Sequence, residues 1–208
     1  MLLKDQAFQQ IKSLITTGEF PPGTFLSENM LAMRLGMSKT PVRSAIERLE
    51  AAGFVAVSPQ QGILVTGLSL DEIIDHFEIR TALETFMMRR LAGRLSPDQV
   101  ARLNANLEAQ RMSAAAGDML NYRQLDPEFH QLFCECLGNA EITTAMTRLR
   151  DKLDRIITRV IQARPERMLS SYHEHRAIVE ALVAGDAELA AARMEEHLEW
   201  GRQSLVTR

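Results

Sequence analysis

Aromatic residues are scarce in this chain: one Trp, two Tyr and eight Phe make up 5% of its 208 residues. Cysteine is scarcer still, with only Cys134 and Cys136. Two thiols that close cannot build a disulfide framework, and at a spacing of two they point to opposite faces of a helix. They read as buried free thiols of a reducing compartment. No run approaches the roughly 18 uninterrupted apolar residues that a membrane helix needs. The opening Met1-Leu2-Leu3-Lys4 has no apolar h-region, so no signal peptide is expected and the chain reads as cytoplasmic. There is no excess of positive charge either: the formal net charge is -3, which taken whole argues against a nucleic-acid partner. G-x-S-x-G, phosphate-loop and G-x-G-x-x-G patterns are all missing, which removes the common hydrolase and nucleotide-binding signatures. What is present is an ordinary globular composition, 46% hydrophobic and 25% charged, long enough for one large domain or two small ones.

Strand signal is confined to residues 54–66. Phe54–Ser58 and Gly62–Thr66 are β-rich runs joined by Pro59-Gln60-Gln61-Gly62, the punctuation of a hairpin. Everything else has helical period. Ser69-Leu70-Asp71-Glu72 and Ser96-Pro97-Asp98-Gln99 are capping boxes. Gly117, Gly138, Pro165 and Gly185 punctuate the remainder, which predicts about six helices after Ser69. The predicted boundary falls near Gly67, separating residues 1–67 from an all-α domain of residues 68–208. Charge divides there too. Residues 1–67 hold six basic and five acidic side chains, and the rest hold 18 and 22, so the acid surplus belongs to the second part.

In the first part, three helices precede the hairpin. Phe8, Ile11, Leu14 and Ile15 give the first an apolar face. Ser27 can cap a second, stopped by Gly36, and Ser38 can cap a third. Helix, short glycine turn and helix make a helix-turn-helix pattern. In the third helix Val42, Ala45, Ile46 and Leu49 face the core, which leaves Lys39, Thr40, Arg43, Ser44 and Glu47 outward. Such a helix presents its N-terminal turn to the major groove. Ser38, Lys39, Thr40 and Arg43 are therefore candidate DNA contacts, with Asn29 on the second helix. The hairpin supplies a wing whose tip, Gln60, Gln61 and Gly62, suits the minor groove. An ordinary three-helix fold with a solvated polar face is the alternative from pattern alone.

The longer run PPGTFLSENMLAMRLGMSKTPVRSAIERLEAAGFVAVSPQQGILV resembles the winged-helix domain of the GntR family of bacterial transcription regulators. The matching features are Pro22-Gly23, Leu26-Ser27-Glu28, Leu31-Ala32, Ser38 to Arg43, Leu49, Gly53 and Gly62. The family often has Arg where Asn29 and Lys39 stand, so its base preference there does not carry over; Lys lacks the bidentate fork. Arg43 keeps the expected type. The resemblance implies a dimer on a palindromic operator.

The second part is notable for histidine. His175 and His197 flank the turn at Gly185-Asp186, each about 15–16 Å from it along its own helix, so an antiparallel pair brings them to one height. Asp126 lies four before His130, on the same helical face. An Asp and three His make an oxygen-plus-imidazole set for a divalent metal. Each has a plainer reading as a hydrogen-bonded core residue, and Asp126-Pro127 also reads as a helix start with Asp126 as its cap. LDPEFHQLF, YHEHRAIVEALVAGDAE and ARMEEHL resemble the signature stretches of the FCD domain, the helical ligand-binding domain of the FadR group. The resemblance implies that Asp126, His130, His175 and His197 bind a divalent metal, zinc first, with nickel and manganese next. The six-helix count resembles the VanR-like subgroup.

Arg80 and Glu84 interrupt the apolar stripe of Ile73, Phe77, Met87 and Leu91. They read either as an internal ion pair or as a guanidinium that grips an effector carboxylate. In the family an Arg in this E-x-R-x-x-L-E setting lies near the ligand cavity. The expected function is a DNA-binding regulator, read as a repressor, that responds to a small carboxylate beside the metal. A direct metal sensor and a metal-dependent enzyme are the alternatives. His173-Glu174-His175 does not make a zinc protease, which needs its second His at i+4.

Overall fold

The computed structural model describes residues 2–58 and 61–206; within them, only the backbone is described for residues 151–159, 162, 163 and 206. The chain divides into two compact units, Met1–Leu68 and Ser69–Arg208.

Unit 1 runs α1 (Leu3–Thr16), β1 (Phe25–Leu26), α2 (Glu28–Leu35), α3 (Lys39–Ala51), β2 (Val55–Ser58) and β3 (Gly62–Val65). Ser27 caps α2 by accepting from the Met30 N–H, and Gly36 closes it in the left-handed region at φ 61°. Ser38 occupies the cap position of α3 but makes no side-chain capping bond. Val42, Ala45, Ile46 and Leu49 of α3 are all buried, against Phe8, Ile11 and Ile15 of α1 and Phe54, Ile63 and Val65 of the hairpin. Burying an aliphatic or Phe side chain of this kind contributes about 1.5–3 kcal/mol, so this small core rests on α3 having one continuous apolar face.

The sheet has three antiparallel strands in the order β1-β3-β2, one more than the sequence predicts. The extra strand pairs Phe25 with Leu64 and Leu26 with Ile63. Two residues carry no readable alternation, so nothing local announces it. It also explains Gly62. At φ 95°, a Cβ there would stand 3.0 Å from the Leu26 carbonyl oxygen, so the glycine answers to strand packing inside unit 1.

Unit 2 is a bundle of α4 (Leu70–Leu91), α5 (Pro97–Ala116), α6 (Met119–Leu137), α7 (Ala140–Ala163), α8 (Arg167–Ala184) and α9 (Ala187–Val206). Both predicted capping boxes form, Ser69 with Glu72 and Ser96 with Gln99. α4 packs most extensively on α9, and α8 and α9 form an antiparallel pair across Gly185. Asp126 does not cap a helix: α6 begins at Met119 with Asp118 as its cap, and Pro127 lies inside it. The Asp126 carboxylate is thereby released from the capping role. Cys134 is buried, with burial pushing its thiol up to about 12, and Cys136 is half-buried; both are free thiols. Among the described residues no helix is long and apolar enough to cross a membrane.

Candidate functional site

The helical rise brings the predicted histidines together. His175 Nε2 and His197 Nε2 are 3.2 Å apart, and with His130 they place one ring nitrogen each within 4.8 Å of the others. All three are buried. Asp126 Oδ1 stands 3.9 Å from His175 Nε2 and outside that tighter group. The remaining histidines stay apart: His173 is exposed, and His76 is buried with its ring edge-on to Phe77.

Each ring has an accepting partner at Nδ1, which for His197 is nearer than the Arg167 Nη2 donor at 3.3 Å. His130 Nδ1 bonds the Glu84 carboxylate. His197 Nδ1 bonds Glu174 Oε2 at 2.7 Å. His175 Nδ1 lies 2.8 Å from Gln110 Oε1. The Gln110 orientation follows from a backbone carbonyl. Asn106 Nδ2 donates to the Leu125 oxygen, so Asn106 Oδ1 accepts from Gln110 Nε2, which leaves Gln110 Oε1 facing the imidazole. Phe129 stacks on the His175 ring at 4.1 Å between centroids and fixes its plane. All three Nδ1 atoms therefore carry the proton, and all three Nε2 atoms present lone pairs inward.

Burial lowers His175 well below the ordinary histidine value, reinforced by the His197 and His130 charges. Burial also lowers His197, only partly offset by its bond to Glu174. Both are thus neutral near pH 7, the state a metal requires. Burial would raise the Glu84 carboxyl, but the Arg80 and His130 charges and their hydrogen bonds outweigh it and hold it at about 2. Glu174 is likewise held at about 2, burial being overcome by His197 and Arg167.

These residues fit a divalent cation. Two imidazole lone pairs 3.2 Å apart repel unless a cation or proton lies between them. With Zn–N bonds of about 2.0–2.1 Å, ligand atoms stand about 2.9 Å apart at a right angle and about 3.3 Å apart at the tetrahedral angle, and the observed separation falls between these. His130 Nε2 is buried and has no hydrogen-bond partner. An unsatisfied buried nitrogen is costly unless something binds it.

A cavity opens beside the cluster and encloses about 460 Å³, its solvent-open mouth included. Asp126 and His197 form part of its wall, with Arg80 and Arg167. Arg80 forms the internal ion pair, its Nε donating to Glu84 Oε1 at 2.7 Å, while its Nη2 is buried without a partner. Arg167 had no readable signal. It bonds Glu174 through both terminal nitrogens and lies over the Trp200 ring, 3.7 Å from its centroid. Of the residues that aim the three rings, Gln110 stood in no motif, whereas Glu84 stood in E-x-R-x-x-L-E and Glu174 beside His175, neither read as the partner of a histidine.

In unit 1 the predicted DNA contacts share the exposed surface. Asn29, Ser38, Lys39, Thr40, Arg43 and Gln61 are exposed and Gly62 is half-buried, while Gln60 lies outside the described residues. Arg43 is engaged: Nε and Nη2 donate to Glu28 Oε1 and Oε2, both at 2.9 Å, across the α2–α3 turn.

A helix-turn-helix with a β wing, followed by a six-helix bundle enclosing a histidine cluster, is the architecture of a two-part bacterial regulator. Residues 3–65 match the bacterial regulatory proteins of the gntR family, and residues 75–199 match the FCD domain. The chain belongs to the GntR family, in the FadR-like group. It is 30% identical over 191 residues to an uncharacterized HTH-type transcriptional regulator of Streptomyces ambofaciens, covering 92% of this chain and 80% of that one. It is 29% identical over 180 residues to the HTH-type transcriptional repressor RspR of Escherichia coli K12, covering 86% and 78%. In fold it is similar to a putative GntR transcriptional regulator of Rhodococcus sp. RHA1, with a TM-score of 0.82 at 21% identity, covering 99% and 98%. The protein is accordingly a DNA-binding transcription regulator and not an enzyme.

Proposed function

We propose that residues 1–67 bind a palindromic operator as half of a homodimer and that residues 68–208 form a metal-dependent sensor of a small carboxylate. The carrying observation is that three buried rings bring one nitrogen each within 4.8 Å of the others, His175 and His197 through Nε2, while each Nδ1 has its own acceptor. A core that only needed filling would not require three separate polar partners to orient three lone pairs toward one point. Asp126, His130, His175 and His197 are the proposed ligands, with zinc first and nickel or manganese next on donor type. A bound divalent cation would supply positive charge and coordination positions for an effector oxygen. Arg80 would grip the effector carboxylate. The names of relatives favour repression, as in RspR and the gluconate operon transcriptional repressor of Bacillus licheniformis. Elemental analysis of the purified protein is expected to find about one divalent metal per chain. A metal-free preparation of the intact, folded protein would overturn the sensor reading and leave the DNA-binding one standing.

The second copy has a suitable surface on α4. Ile79 and Phe86 are 43% and 46% exposed, on one face with Ala82 and between exposed Asp75 and Arg90. In an antiparallel copy centred between Ala82 and Leu83, Ile79 meets the partner subunit's Phe86, and Asp75 meets the partner subunit's Arg90. A two-fold interface has to be self-complementary in this way. Asp75→Arg is expected to weaken the dimer in sedimentation, and adding Arg90→Asp to restore it. Unchanged association in the single variant would place the interface elsewhere.

A further inference from the structure

The cavity of unit 2 restricts the effector further than the word carboxylate does. Arg80 forms part of its wall, and one buried donor of that guanidinium, Nη2, has no partner. Arg80 as a whole is 3% exposed, and its Nε is already committed to Glu84. An unpaired donor on a buried cation is a place for an anion.

Apart from the proposed metal ligands Asp126 and His197, the other polar groups of the wall among the described residues are spent on one another or on neighbours. Tyr122 donates its hydroxyl to Gln110 Oε1 at 3.3 Å. Ser171 donates to Asp126 Oδ1 at 3.5 Å. Arg167 turns both terminal nitrogens to Glu174 and lays its face on Trp200. Between these groups the lining by described residues is apolar: Phe77, Val160, Ile161, Leu198 and the Trp200 ring. Gly201 continues that wall, and a Cβ there would stand 3.0 Å from the Phe77 ring, which would have to give by a few tenths of an ångström.

We propose that the effector is a carboxylate with a compact apolar or aromatic body, its carboxylate on Arg80 Nη2 and its body against Phe77, Ile161, Leu198 and Trp200. This rests on the reading of unit 2 as a carboxylate sensor and adds to it the chemistry of the rest of the ligand. A polyhydroxylated acid of similar size fits the charge but not the wall. Each hydroxyl buried against Leu198 or Ile161 without a partner weakens binding by about tenfold. An apolar body instead gains from leaving water.

The test is a thermal-shift comparison on the full-length wild-type protein with three probes at equal concentration and pH: benzoate, benzamide and gluconate. Benzoate is expected to raise the melting temperature by about 5 °C when about a hundredfold above its Kd. Benzamide, which has the same ring without the charge, is expected to give no comparable shift, and gluconate a smaller one than benzoate. Arg80→Lys keeps a cation beside Glu84 but lacks the second terminal nitrogen, and it should lose most of the benzoate shift. If that variant does not fold, the benzoate–benzamide difference in the wild type carries the test alone. A gluconate shift exceeding that of benzoate would overturn the apolar class while leaving the carboxylate sensor intact. Equal shifts from benzoate and benzamide would remove Arg80 from binding. No shift from either acid would overturn both readings together.

Discussion

Replacing His175 by alanine should lower the affinity of the chain for divalent metal by more than a hundredfold while leaving DNA binding by the folded protein largely intact. Altering a residue that only orients a metal-bound histidine costs about 10- to 100-fold in metal affinity. His175 is proposed to supply a donor itself, so its removal sets a larger effect. It is the central ring of the group, 3.2 Å from His197 Nε2, 3.9 Å from Asp126 Oδ1 and stacked on Phe129. Its loss also strands Gln110 Oε1, which then accepts only from Tyr122 at 3.3 Å. Gln110→Leu therefore forms the graded comparison: it keeps the ring and removes the oxygen that sets its tautomer, together with the Gln110 bonds to Asn106 and Tyr122, and its expected loss lies within the 10- to 100-fold range. Metal per chain, measured after dialysis against a weak chelator, reads both variants. Full retention in His175→Ala would overturn the metal centre. Equal losses in the two variants would instead mean that the whole pocket collapses when either is altered.

The histidine positions were legible because a helix is a ruler. The rise per residue is constant, so equal distances from the turn at Gly185 placed His175 and His197 at one height without any knowledge of packing. The spacing of four likewise put Asp126 and His130 on one face of α6. What stayed hidden came from other helices. Glu84 and Gln110 lie 46 and 65 residues from the histidines they hold, and no local pattern joins them. Glu174 shows how sequence proximity misleads: it precedes His175 but bonds His197, 23 residues on, because adjacent helical residues point about 100° apart. Asp126-Pro127 misled in another way. The pair carries a helix-start signal, yet the helix had already begun a full two turns earlier at the Asp118 cap. In unit 1 the apolar face of α3 was read correctly residue by residue, whereas β1 was too short to read and the Arg43–Glu28 pair required the α2–α3 turn to be built first.

Arg43→Ala should weaken binding to a DNA fragment selected by the wild-type protein from a random pool by about 1–3 kcal/mol per protomer, and the loss should roughly double if two protomers engage together. The Glu28 pair does not contradict this. Both side chains are substantially exposed, 62% for Arg43 and 33% for Glu28, and an exposed ion pair of this kind contributes only about 0–1 kcal/mol. A guanine edge or phosphate offers Arg43 more than Glu28 does, so the pair can open on DNA. Until then it holds Arg43 Nε and Nη2 in one orientation and keeps a carboxylate at the surface that would meet the phosphates. Glu28→Gln should consequently act in the opposite direction to Arg43→Ala, raising affinity for unselected DNA and steepening the salt dependence by about one unit per protomer. The informative quantity is the ratio of selected to unselected binding in a gel shift. Arg43→Ala lowers that ratio by losing a base or phosphate contact at the selected site, and Glu28→Gln lowers it by strengthening the background. If Glu28→Gln still strengthens unselected binding in an Arg43→Ala background, the carboxylate acts on the phosphates directly; if the effect disappears, Glu28 acts through the arginine. Wild-type affinity in Arg43→Ala would remove this face of α3 from the DNA interface.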